Sequence, residues 1–93
     1  TVYIITAGTP LDENKTIILG NIKKISQDIA ACLKDGDLVI LRSTVKLGTT
    51  RSIVLPILEK SGKKFQIAFC PERTVEGQAM AELRYLPQII GTD

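Results

Sequence analysis

The sequence predicts an α/β fold of parallel strands with flanking helices, in the order β-α-β-α-β-short α-β. Three observations carry that prediction. Three short apolar runs, at residues 2–5, 38–41 and 66–70, are nearly continuous rather than alternating. That is the pattern of strands buried on both faces in a parallel sheet covered by helices. The segments between the runs carry helical periodicity instead, so strands and helices alternate. The two helix exits, "LKDGDLVI" and "EKSGKKFQI", share one form: a Lys near the last turn, a Gly, then a strand. Gly36 and Gly62 lie about 26 residues apart, the length of one βα unit. Two copies are a geometric repeat and too few for a solenoid.

The elements follow in order. "TVYII" reads as a strand from its first residue, and residue 1 is Thr, so the chain is expected to be an excised piece of something longer. Over residues 14–34, Ile18, Ile22, Ile25, Ile29 and Leu33 recur at steps of four, three, four and four. They predict one helical face, with Lys23, Lys24, Gln27 and Asp28 off it. Asp35-Gly36 is expected to end that helix, with Gly36 as its left-handed cap. Over residues 49–60, Ile53, Val54, Ile57 and Leu58 form an inner face, and Thr49 or Thr50 fits the N-cap. Pro56 lacks an N–H and should kink or shorten this helix. Residues 78–85 predict two helical turns with Met80 and Leu83 facing in. "LPQIIG" reads as a fourth short strand, with Pro87 at its start where no ladder donor is needed. Right-handed crossovers place the first three strands side by side and parallel.

Composition narrows the function. The chain has 93 residues, 44% of them hydrophobic and 24% charged, which suits one small unit with a modest core. A net charge of +2 with mixed signs implies neither a nucleic-acid nor a membrane partner. The apolar runs are far shorter than the roughly 20 residues that span a bilayer. There is no charged-then-apolar leader, and Cys32 and Cys70 do not form a metal-type spacing, so a reducing, cytoplasmic setting is expected. No metal site is expected. The absence of His removes the commonest general base and zinc ligand. Catalysis would rest on carboxylates, Lys, Cys or hydroxyls.

In a parallel α/β sheet, ligands bind beyond the carboxyl ends of the strands. Those exits read "TAGTP", "RSTVKLGTT" and "PERTVEG". In the first, Gly8 lets the chain turn closely, Pro10 ends the strand, and Thr6 and Thr9 add hydroxyls. By local sequence alone this is a turn or a backbone approach to a ligand. In the second, Ser43 and Thr44 leave the strand directly, and Gly48, Thr49 and Thr50 open a helix whose free N–H groups favour anions. The spacing is not that of a GxxxxGK[ST] phosphate loop. In the third, Glu72 and Glu76 are four apart with Arg73 beside the first, so a helical segment would put both carboxylates on one face. Such a pair could do acid–base work or hold ribose hydroxyls or a water, with its proton affinity tuned by Arg73 or by desolvation. A solvated, salt-bridged loop is the plainer alternative. Cys70 ends an apolar strand with no His in the chain, and reads as a buried structural thiol rather than a nucleophile. Cys32, near a helix end, reads as structural too. The opposite edge carries "KDGD" and "SGKK", ordinary solvated turns. No G-x-G-x-x-G occurs, and the seven glycines sit singly.

Taken together, "GTP", "LRSTVKLGTTR", "CPERTVEG" and "LPQIIG", in this order and spacing, resemble the UDP-glucose/GDP-mannose dehydrogenase family of nucleotide-sugar 6-dehydrogenases. "CPERTVEGQAMAELRYLPQIIG" looks closest to the branch that includes UDP-N-acetylmannosamine dehydrogenases. The resemblance covers nearly the whole chain. It implies the second half of a Rossmann-like, three-layer NAD-binding domain, with residues 1–93 a single partial domain and the glycine fingerprint before it. It also implies NAD-dependent, two-step oxidation of a UDP-sugar C6 alcohol to a carboxylate, in polysaccharide biosynthesis. The thioester of that reaction would form on a Cys of a later domain, matched by neither Cys70 nor Cys32. By motif position, Thr9 and Pro10 would lie near the ribose and nicotinamide side of NAD, with Ser43 among the cofactor contacts. Thr44 would hold the nicotinamide region or a catalytic water. Glu72 would orient substrate and water for thioester hydrolysis, and Glu76 would contact the nicotinamide ribose or a neighbouring water. Partners would be the UDP-sugar and the remainder of the chain, in a homo-oligomer. Two departures are "ITA" before "GTP", where many members carry a Cys-Val type of pair, and Lys46, where Pro is common.

The alternative is a stand-alone small α/β binding or assembly module without catalytic activity. A third reading, a complete small hydrolase using Glu72 and Glu76, lacks a clear nucleophile–base pair. On the dehydrogenase reading, the 93-residue chain alone is expected to be inactive, and the outer edge of its first strand is expected to be unpaired, which invites self-association.

Overall fold

The computed structural model describes residues 1–14, 18–74 and 76–92. The expected order of elements is present. Strand β1 spans Val2–Ile5, helix α1 Gly20–Cys32 and strand β2 Asp37–Leu41. A π-helical stretch at Thr50–Val54 leads into α2 at Leu55–Glu59, followed by β3 at Phe65–Phe69, α3 at Ala79–Tyr85 and β4 at Gly91–Thr92. The sheet order is β1-β2-β3-β4. The first three strands are parallel, with Ile5 opposite Leu41 and Leu41 opposite Phe69. β4 runs antiparallel to β3, Phe69 facing Gly91. It starts where the predicted "LPQIIG" strand ends.

The core shows why both crossovers matter. Ile5, Val39 and Leu41 from the strands meet Ile22, Val54 and Leu58 from the helices, all at 1% exposure or less. Burying each such side chain contributes about 1.5–3 kcal/mol. Residues of β2 alternate between buried and half-buried, and Val2 and Ile4 of β1 are 56% exposed. So one face of the sheet carries the helices and the other is open, a correction to the expectation of strands covered on both faces. The reason is topological. Successive right-handed crossovers that step the same way across a sheet lay their helices on the same face.

Local differences have local causes. α1 is shorter than the predicted 14–34; residues 15–17 of that stretch lie outside the described residues. Ile18 precedes the helix and is exposed, its N–H donating to the Pro10 carbonyl at 2.8 Å. At the other end Leu33 turns extended, which carries its side chain into the core. Gly36 is left-handed, at φ +88°, as is Gly62 at +71°. Gly36 therefore serves the turn into β2 rather than capping α1. The Gly36 N–H donates to the Lys64 carbonyl at 2.7 Å, and the Lys64 N–H to Asp35 Oδ1 at 2.8 Å, so the two similar joints bind each other. Pro56 sits in the first turn of α2, after the π-helical stretch, so the helix changes pitch there rather than ending. Thr49 occupies the N-cap position without a side-chain cap bond. Met80 and Leu83 point to solvent, at 73% and 53% exposure, against the expectation that they face in. α3 follows β3 outward and buries no residue.

Candidate functional site

The hydrogen-bond ladder runs past the ends of the three parallel strands and aligns their exits. The Arg42 N–H donates to the Ile5 carbonyl at 2.9 Å, the Cys70 N–H to the Leu41 carbonyl at 2.9 Å, and the Glu72 N–H to the Arg42 carbonyl at 3.2 Å. Ser43, buried, donates its hydroxyl to the Ala7 carbonyl at 2.7 Å. These bonds gather Thr6, Ala7, Gly8, Thr9, Arg42, Ser43, Thr44 and Glu72 around one cleft of about 320 Å³. The cleft combines threonine hydroxyls, strand-exit backbone and one carboxylate. Nothing stands within 4 Å of where a side chain on Gly8 would begin, so its backbone is open to approach.

Glu72 is the organised charge of the cleft. Its Oε2 accepts from Arg42 Nη2 at 2.6 Å, and its Oε1 from the backbone N–H groups of Arg73 at 2.8 Å and Thr74 at 2.9 Å. The Arg42 guanidinium, then those N–H groups, hold the carboxyl down at about 2, against an ordinary value of 4.5. Glu72 is thus an anion at any physiological pH. It is suited to accept hydrogen bonds from hydroxyls or a water, and unsuited to donate a proton.

Of the residues singled out from sequence, Thr9, Ser43, Thr44 and Glu72 line the cleft. Pro10 and Glu76 do not; both are exposed. Residues 71–74 are not helical, and Glu76 opens a turn through Gln78. The shared helical face for the two carboxylates is therefore absent. Gly77, at φ +87°, carries that turn. Arg73 does not set the charge state of Glu72 through its guanidinium, which donates instead to the Pro87 carbonyl at 2.8 Å. Arg42 does, and sequence reasoning had given it no role. The available signal was a charged residue directly at a buried strand's exit, beside the neighbouring exit "CPE" in a parallel sheet. Cys70 is buried, as expected for a strand end, while Cys32 is exposed.

Parallel strands with right-handed helical crossovers, and a polar cleft at their carboxyl ends, define the Rossmann-like class of nucleotide-binding folds. Residues 1–93 of the chain are matched by the model of the UDP-glucose/GDP-mannose dehydrogenase family, NAD binding domain. The chain belongs to this family, whose cofactor is NAD. It is similar to the UDP-N-acetyl-D-glucosamine 6-dehydrogenase of Pseudomonas aeruginosa, 42% identical over 81 residues, or 82% of this chain and 19% of that one. The UDP-N-acetyl-D-mannosamine dehydrogenase of Methanococcus aeolicus is 39% identical over 93 residues, covering 97% of this chain and 21% of the relative. A solved structure of GDP-mannose dehydrogenase from Pseudomonas aeruginosa superposes with a TM-score of 0.91 at 32% identity, over 98% of this chain and 23% of that one. The chain spans about a fifth of the length of the curated relatives it matches. Among the described residues, no helix is long and apolar enough to cross a membrane.

Proposed function

We propose that this chain forms the C-terminal half of the NAD-binding domain of a nucleotide-sugar 6-dehydrogenase, which oxidises the C6 alcohol of a UDP-sugar to a carboxylate. The observation that carries this reading is the convergence of three strand exits, with Thr9, Thr44 and Glu72, on one cleft in a member of this family. NAD, when bound, accepts the hydride. The chain's own residues bind and orient. Thr9 and Thr44 offer hydroxyls to the ribose and nicotinamide side, with the open backbone at Gly8 lining the same cleft. Ser43 acts through structure, fixing the first exit against the second. Glu72, ionised, favours a cationic nicotinamide, ribose hydroxyls or a water over a phosphate, which like charge would repel.

The open sheet face, with Val2 and Ile4, and the outer edge of β1 are where the remainder of a longer chain would pack. A homo-oligomer, a cytoplasmic setting and a place in polysaccharide biosynthesis accompany this reading.

The test is NADH formation by the full-length dehydrogenase carrying this domain, supplied with NAD and a UDP-sugar. Two NADH per sugar are expected, and Thr44→Ala should lower kcat by up to about a hundredfold through misplacement of the reacting groups. Full activity in Thr44→Ala, or NADH formation by the 93-residue chain alone, would overturn the proposal.

A further inference from the structure

We infer that Arg42 is the positioning residue of this cleft, the side chain that ties the Glu72 carboxylate to the exit of β2. The inference rests on the function proposed above and adds a residue to it. Arg42 leaves β2, and its guanidinium reaches three other groups. Nη2 bonds Glu72 Oε2 at 2.6 Å. Nη1 lies 3.1 Å from Cys70 Sγ and 3.4 Å from Gln88 Oε1. Gln88 Oε1 also accepts from Cys70 Sγ at 3.6 Å. One planar fork thus joins the exit of β2, the exit of β3 and the segment leading to β4.

The arrangement is economical in a physical sense. Glu72 stands on an irregular segment, with its side chain 42% exposed, whereas the Arg42 side chain is 21% exposed. A carboxylate on such a segment has rotamers to choose from; the Arg73 and Thr74 N–H groups hold Oε1 within its own segment, and Arg42 is the directional partner that holds Oε2 to another strand exit. The Arg42 backbone is itself fixed by ladder bonds on both sides, to Ile5 and from Glu72. A Lys would supply the charge but not the fork, since an ammonium is a point charge on a flexible stem. The charged and titratable groups around Glu72 are Arg42 and Cys70 from the two strand exits, and Arg73 beside it, whose guanidinium is turned to Pro87.

The consequence has a direction. Arg42 is the foremost cause of the low proton affinity of Glu72. Without it, the carboxyl rises toward its ordinary value of 4.5, restrained by the backbone donors at Thr74 and Arg73 and by the Thr74 side chain. If the ionised carboxylate is the working form, its loss on acidification then begins at higher pH.

The experiment compares Arg42→Gln and Arg42→Lys with the native full-length dehydrogenase, by the pH dependence of kcat and by the KM for NAD. Arg42→Gln should lower kcat by roughly tenfold to a hundredfold, with a smaller change in KM, and move the acid limb of kcat upward. Arg42→Lys should keep the acid limb near the native position while recovering only part of kcat. Native kcat and a native acid limb in Arg42→Gln would overturn the inference. Carbon-13 titration of the Glu72 carboxyl in the full-length protein decides independently of activity. A Glu72 midpoint raised in Arg42→Gln but not in Arg42→Lys supports the inference, and one unchanged in both overturns it. If the native full-length protein oxidises no UDP-sugar, the proposed function fails, and that titration still judges Arg42. If Arg42→Gln does not fold, Arg42→Lys carries the test: a native kcat there shows the fork to be dispensable and sinks the inference.

Discussion

The two edges of the sheet differ in a way that charge alone does not reveal. The amino-end edge carries Lys34, Lys63 and Lys64, all exposed. It borders a groove of about 620 Å³ lined by Leu38, Glu59, Lys63, Lys64 and Phe65, larger than the 320 Å³ cleft at the other edge. Yet on that edge side chains meet backbone rather than one another: Asp37 accepts from the Lys34 N–H and Asp35 from the Lys64 N–H, while the Gly36 N–H donates to the Lys64 carbonyl. At the carboxyl-end edge the side chains converge. Arg42, Ser43 and Glu72 are each held by a named partner from another exit. A site is made by groups fixed relative to one another, and cavity size is a poorer guide than that convergence.

The largest expected effect strikes both edges at once. Leu41 is fully buried in β2, directly before Arg42. Leu41→Ala should cost about 2–5 kcal/mol by denaturant unfolding, whereas Met80→Ala on exposed α3 should stay within about 0.5 kcal/mol. Equal losses would mean that α3 is packed after all, and that the contrast between core and periphery is wrong. The next effect separates the edges. Ser43→Ala leaves the Ala7 carbonyl without its 2.7 Å donor and should cost about 1–3 kcal/mol. Lys63→Ala at the amino-end edge should be nearly neutral, again within about 0.5 kcal/mol. The same unfolding measurement checks both, and a costly Lys63→Ala would erase the distinction between a built edge and a solvated one.

Much of this architecture was legible in the sequence, for physical reasons. Continuous apolar runs and the isoleucine period mark element type and one buried face, so the three parallel strands and both crossover helices could be placed, although Val2, Ile4 and Ile18 are exposed. Topology then put Thr9, Ser43, Thr44 and Glu72 on one edge without any coordinates. What could not be read depends on pairings between distant residues. Leu33 leaving the helix to fill the core, the antiparallel turn into β4 and the solvent-facing Met80 and Leu83 are tertiary outcomes that no local period encodes. Arg42 is the clearest case. Its role lies in bonds to Glu72, 30 positions away, and to Gln88, 46 positions away. Glu76 failed for the complementary reason: a spacing of four has meaning only on a helix, and the segment from Pro71 is irregular.

The central claim is that the carboxyl-end edge, and not the larger amino-end groove, receives NAD. Amide hydrogen exchange of the full-length dehydrogenase with and without NAD tests it most directly. Protection at residues 6–9, 42–46 and 70–74, with residues 34–36 and 61–64 unchanged, is the predicted result. Protection confined to residues 34–36 and 61–64 would contradict it.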